Sequence, residues 1–243
     1  GISIRGLGGS RVNIFVDGVR VSDAYAGYGR GVVEVGLLKR VEILKGPTSA
    51  LYGSDGLAGA VSYVTKDASD FTDSGSHYTA RYAQFSDSNQ DKYSFLYAFV
   101  GERIDGILQF TDKESSEMEL HSDALLEPNP VMSEGKSLLG KLTVDVNEKL
   151  DMTLTLDNQE WSSDIIVNTD IGSTFYPGLS LLSTTSSSEG ADEGSRDRVS
   201  LKLNYAAQNN LFDSAILNIF SQSTDQQQIT NKVVADMLFG QFG

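Results

Sequence analysis

From about residue 76 onward the chain is dominated by a two-residue alternation of apolar and polar positions, the pattern of strands with one wet and one dry face. In "LTVDV", Leu142, Val144 and Val146 alternate with Thr143 and Asp145. In "LDMTLTLD", Leu150, Met152, Leu154 and Leu156 alternate with polar residues, and in "RVSLKLNY" Val199, Leu201, Leu203 and Tyr205 do the same. Less regular examples cover about 76–86, 90–100, 103–112 and 211–221, and the weakest lies near 226–234. Seven or eight strands are therefore predicted.

The connections between these strands fall into two alternating classes. "GER" (101–103), "NEK" (147–149) and "QNN" (208–210) read as tight turns. Between them lie "SDSNQD" (86–91), a polar stretch over 112–135 and a longer one over 157–197, both read as loops. Short turns at one end and long loops at the other are the habit of outer-membrane β-barrels. Tyr78, Tyr82, Tyr93, Phe95, Tyr97 and Phe99 concentrate in the first two strands, where a lipid-facing girdle would use them. A barrel that encloses a separate domain needs about 22 strands, and open edges in lipid leave backbone groups unpaired. The predicted strands are therefore part of a larger barrel.

The first seventy residues read differently. They hold a strand, "RVNIFVDGVRV", a glycine-rich excursion, "SDAYAGYGRG" (22–31), and a helix-like segment, "VVEVGLLKRVEIL" (32–44). Asp17-Gly18 is a tight-turn pair. Gly46-Pro47 interrupts the helix-like segment because Pro47 lacks an amide proton and restricts its predecessor. "TSALYG" then opens a short helical turn, with Thr48 or Ser49 as N-cap. The prediction is a small α/β unit rich in loops.

The net charge of −14 divides unevenly along the chain. Residues 1–70 carry eight Lys/Arg against seven Asp/Glu, leaving eleven against twenty-six, or −15, for the remainder. Such a surface repels phosphates and excludes nucleic acid as a partner. There is no cysteine, hence no disulfide and no thiolate chemistry. No apolar run is long enough for a transmembrane helix, which a membrane β-barrel does not need. "GLGG" from Gly6 is followed by a β-like segment rather than a helix, so it does not read as a phosphate loop. No carboxylate pair or Ser/His/Asp set falls into a recognisable motif, and an enzyme is not expected.

"ISIRGLGGSRVNIFVDGVRV" and "LLKRVEILKGPTSALYGSDGLAGAVSYVTKD", in this order and followed by barrel-type strands, resemble the TonB-dependent outer-membrane receptors. "GLGGSRV…VDGVR" and "LYGSDGLAGAVSYVTKDASD" are most similar to the haem and haemoglobin receptor branch. The resemblance implies a mainly β fold: the C-terminal half of a plug domain over residues 1–70, then, over 71–243, about 7–8 strands of a 22-stranded barrel. The plug's front half, its TonB-contacting segment and the later strands are expected to lie outside this sequence. Implied partners are TonB, outer-membrane lipid and a transported iron ligand in a Gram-negative outer membrane. Haem or a haemoprotein ranks first as that ligand, a ferric siderophore second and cobalamin behind. No intrinsic cofactor is implied.

Site residues follow. Arg5 in "IRG" and Lys45 in "LKGP" fall where the family places basic plug residues that pair with barrel carboxylates. The 22–31 loop, with Tyr25, Tyr28 and Arg30, would form the floor of the ligand site. A tyrosinate can ligate haem iron, although contact with any ligand suits these aromatics equally. His121 in the acidic loop is a candidate external contact, and His77 reads as structural. Neither histidine has a companion at metal-ligand spacing. Asp67, Asp70 and Asp73 lack the twelve-residue calcium-loop pattern and read as a solvated linker.

Overall fold

The computed structural model describes residues 3–8, 11–21, 33–48, 56–117, 129–179, 181–207 and 212–238. The front of the chain builds a two-stranded ladder, β1 (Ser3–Ile4) with β2 (Leu7–Gly8), and a four-stranded sheet. That sheet comprises β3 (Val12–Val16), β4 (Val19–Val21), β5 (Leu38–Lys45) and β6 (Gly59–Thr65), in the order β4-β3-β6-β5. β3 runs parallel to β6, and the other pairs are antiparallel. All five residues of β3 are buried, the four apolar ones and Asn13 alike, as befits a central strand covered on both faces. Asp17 and Gly18 join β3 to β4 with φ of 49° and 81°, the two successive positive values of a tight hairpin.

The helix expected over 32–44 is not there. Among the described residues this segment is a 3-10 turn at Val35–Leu37 followed directly by strand β5. The reason lies in "RVEI": β-branched Val41 and Ile43 alternate with Arg40 and Glu42, and β6 presents a free edge to pair with. Most of "TSALYG" lies outside the described residues.

The rest of the chain forms one antiparallel sheet of eight strands: β7 (Gly75–Phe85), β8 (Gln90–Val100), β9 (Ile104–Ser116), β10 (Val131–Asn147), β11 (Leu150–Ile166), β12 (Gly172–Tyr176), β13 (Leu181–Ala206) and β14 (Ser214–Leu238). Each of β7 to β10 pairs with the next, and β13 pairs with β11, β12 and β14. The segment near 226–234 is the far end of β14 rather than a separate strand. Much of what read as loop over 112–135 and 157–197 is also strand. "STTSSSEGADEGSRD" (183–197) is polar on both faces and so has no alternation to detect, yet its backbone pairs along both edges.

Register sorts the side chains onto two faces. Tyr78, Tyr82, Tyr93, Phe95, Tyr97 and Phe99 share one face of β7 and β8. It continues through a row of paired residues, Phe99, Gly106, Leu142, Leu154, Leu201 and Ile219, one from each successive strand. This apolar face is uncovered: Tyr78 is 76% exposed, Phe95 47% and Ile219 57%. Such a belt is what lipid-facing strands present, and a soluble sandwich would have buried it. The opposite face is turned toward the front unit. There Leu96, Ala98 and Ile107 pack against Ala68, Phe71 and Val100, closing the linker onto the wall.

Candidate functional site

The front unit meets the inner face of the large sheet through charge. Two clusters form, and in both the acid belongs mainly to the front unit and the base to the wall.

The first cluster centres on the β3–β4 turn. Asp17 accepts hydrogen bonds from the Thr65 amide (2.9 Å) and hydroxyl (2.7 Å). Its Oδ2 lies 3.2 Å from Arg198 Nη2 and 3.9 Å from Lys141 Nζ. Arg198 also donates to the carbonyl of Val16 and pairs with Asp157 at 3.0 Å, which Arg196 contacts at 3.1 Å. Lys141 extends the chain of alternating charges to Asp67 (2.9 Å), and Lys39 pairs with Asp70 (2.7 Å). The Asp157 and Arg198 side chains have no exposed surface and that of Arg196 has 3%. Charges so far from water are tolerated only because each has an opposite neighbour. Burial pushes the Asp17 carboxyl up, but Lys141, the two Thr65 donors and Arg198 outweigh it and hold it below its usual range.

The second cluster centres on Glu34, which caps the 3-10 turn by accepting from the Gly36 amide at 3.0 Å. Lys92 donates to its Oε1 and Lys113 to its Oε2, the latter at 2.9 Å. The carbonyl of Gly36 accepts from Lys66 (2.8 Å) and from Gln109 (3.0 Å). Burial alone would raise the Glu34 carboxyl; the Lys113, Lys92 and Gly36 hydrogen bonds bring it down to about 2.

Such an arrangement is a dock. It holds a small unit against a wall by contacts that are individually breakable and that carry no groups poised for covalent chemistry.

Residues 1–60 match a family model described as the TonB-dependent receptor plug domain. The hemin receptor of Yersinia enterocolitica is 31% identical over 161 residues, 65% of this chain and 23% of that protein. The vitamin B12 transporter BtuB of Vibrio vulnificus is 44% identical over 64 residues, 26% of this chain and 11% of that protein. Among solved structures, the FrpB iron transporter from Neisseria meningitidis matches at a TM-score of 0.59 and 15% identity, over 90% of this chain and 42% of the other. Residues 1–60 are a TonB-dependent receptor plug domain, and the remainder of the chain has the fold of a TonB-dependent receptor barrel wall. The chain spans less than a quarter of the length of these two curated relatives.

The front unit is thus the plug and the large sheet has the fold of barrel wall. Of the plug cations read as wall contacts, Arg5 and Lys45 are exposed and neither pairs with another described residue. The described plug–wall ion pairs instead run from plug acids to wall bases. Tyr25, Tyr28, Arg30 and His121 lie outside the described residues. His77 bonds Thr79 at 2.8 Å and stacks on Phe71, which suits its structural reading. In the linker, Asp67 and Asp70 are engaged by Lys141 and Lys39, and Asp70 also accepts from the Asp67 amide.

The sequence reading missed Lys92, Lys113, Lys141, Arg196 and Arg198. A signal was present: Lys92, Lys141 and Arg198 each stand directly before an apolar residue of the exposed face, so period two points all three inward.

The Glu34 cluster has a pH signature. Its folded value of about 2 lies below the ordinary 4.5, so its contribution is present above pH 4.5 and is lost as pH falls toward 2. The two lysines are partly exposed and screened, so docking should weaken by about 2 kcal/mol over that window. Urea midpoints of plug undocking between pH 7 and 3 would show this, and Glu34→Gln should flatten the acid limb. An unchanged limb in that variant contradicts the assignment.

Proposed function

We propose that this chain supplies plug and wall to a receptor that imports an iron-containing ligand across a Gram-negative outer membrane, driven by TonB. The reading is of a transporter and not of an enzyme. Residues 1–70 are the C-terminal part of the plug and 71–243 the first strands of the barrel. The observation that carries the reading is the ionic seating of plug acids on wall bases. A pore closed by a part that must later move needs such a contact, strong in sum and reversible. TonB would act on the plug.

Haem, free or taken from a haemoprotein, is the first-ranked ligand. The alignment to the hemin receptor runs through 65% of the chain, whereas that to the vitamin B12 transporter spans 26% of it. The ligand would be captured by the outer loops, with His121 among them, and would rest on the plug loop bearing Tyr25, Tyr28 and Arg30. A ferric siderophore is the second reading, and cobalamin follows.

Two measurements test this. Titrating the complete receptor with haem should produce a Soret shift that is lost when Tyr25 and Tyr28 are both replaced by Phe. No spectral change in the unsubstituted receptor removes haem from first place. Uptake should stop without TonB or the proton gradient; uptake that persists would favour a passive channel. Recovery of the complete protein from the aqueous phase without detergent would favour a surface adhesin.

A further inference from the structure

Lys92 and Lys113 stand directly opposite each other on neighbouring strands. Like charges in that relation repel, and here one plug carboxylate, Glu34, bridges them. The wall beside them is polar and underused. Gln109 Oε1, Thr111 Oγ1 and Ser137 Oγ have no hydrogen-bond partner among the described residues, and these three residues are 5%, 1% and 4% exposed. Thr111 and Ser137 are themselves cross-strand partners, and Gln109 lies two residues along β9 on the same face. A cavity of about 20 Å³, lined by Glu34, Lys113, Ser137 and Trp161 among others, adjoins the contact. That is room for one water, so the patch is filled by the plug itself.

We infer that Lys92, Lys113 and the adjoining Gln109, Thr111 and Ser137 form a carboxylate-binding station on the barrel wall, occupied by Glu34 while the plug is docked and open to a carboxylate-bearing ligand when Glu34 withdraws. Removing Glu34 leaves two ammonium groups facing each other with no counter-charge. An incoming carboxylate restores the balance that the plug carboxylate provided, and the idle hydroxyl and amide groups add further contacts. Plug seating and ligand contact are thus mutually exclusive at this place. A ligand carrying carboxylates gains a foothold on the wall only as the plug moves aside. The station takes its meaning from the import reading, but its binding chemistry can be measured apart from import.

The experiment is calorimetric titration of the purified complete receptor with citrate, which needs neither TonB nor a gradient. Glu34→Ala should bind citrate about tenfold more tightly than the unsubstituted receptor, as expected for one freed charge-assisted pair. Glu34→Gln, which removes the charge but keeps the shape of the side chain, should show a smaller gain in the same direction and guards against a poorly folded alanine variant. Adding Lys92→Met and Lys113→Met to either should abolish the gain. Equal citrate binding with and without Glu34, or a gain that survives loss of both lysines, overturns the station. Either result would leave the TonB dependence of uptake untouched.

Discussion

Asp157→Ala is expected to destabilise the docked receptor by about 3–5 kcal/mol, the range for breaking a buried ion pair by removing one partner. Asp157 is the shared counter-charge of Arg196 and Arg198, and its own side chain has no exposed surface. Without it Arg196 loses its contact with Asp157, while Arg198 keeps Asp17 and the Val16 carbonyl among the described residues. Because Asp17 remains, the loss should fall toward the lower end. Urea or thermal unfolding of the complete receptor in detergent reads the effect, and a change below about 1 kcal/mol would contradict it. Asp157→Leu combined with Arg196→Met and Arg198→Met should regain much of that stability, since an apolar replacement of a buried ionic group is often neutral. It should not regain plug seating, because the Arg198 bond to the Val16 carbonyl and its pair with Asp17 go with it. The two measurements together separate the stability of the wall from its hold on the plug.

How much of this was legible in the sequence depends on which force sets each feature. The apolar face was readable because lipid-type exposure leaves a strict alternation, and Leu142, Leu154, Val199 and Leu201 all fall on it as the pattern required. Strand ends beyond the apolar belt were not readable. In 181–195 and 158–166 the strand is carried chiefly by the backbone ladder, and a ladder leaves no trace in side-chain polarity. The 3-10 turn and strand at 35–45 were misread as a helix because "LLKRVEIL" fits both periods over so short a span, and only the free edge of β6 decides between them. At the dock, period two was enough to place Lys141 and Arg198 on the inner face. It could not show that Asp17, noticed only as a turn residue, would meet them, since that contact joins residues some 180 positions apart. Family likeness directed attention to plug cations, whereas the wall of this chain carries the bases itself.

Leu154→Arg tests the membrane assignment, because its cost is small beside water and large beside hydrocarbon. Leu154 is 41% exposed, in the middle of the row that runs from Phe99 to Ile219. On a protein surrounded by water, replacing an exposed leucine by arginine changes stability by no more than about 0.5 kcal/mol. On a strand facing the middle of a bilayer the same change costs about 2–4 kcal/mol, and near the interface the cost falls to about 0–1 kcal/mol. Glu160 lies on the same face of the same strand, beyond the apolar belt, and is also exposed, so Glu160→Arg is the matched control. Refolding of the complete receptor into lipid vesicles, followed by urea titration, should therefore show a large loss for Leu154→Arg and little for Glu160→Arg. The depth dependence is the decisive part. A general folding defect would not distinguish two arginines on one strand, whereas a hydrocarbon layer penalises only the one that must enter it. Equal, small effects at both positions would mean that this apolar face is covered by protein or water rather than by lipid.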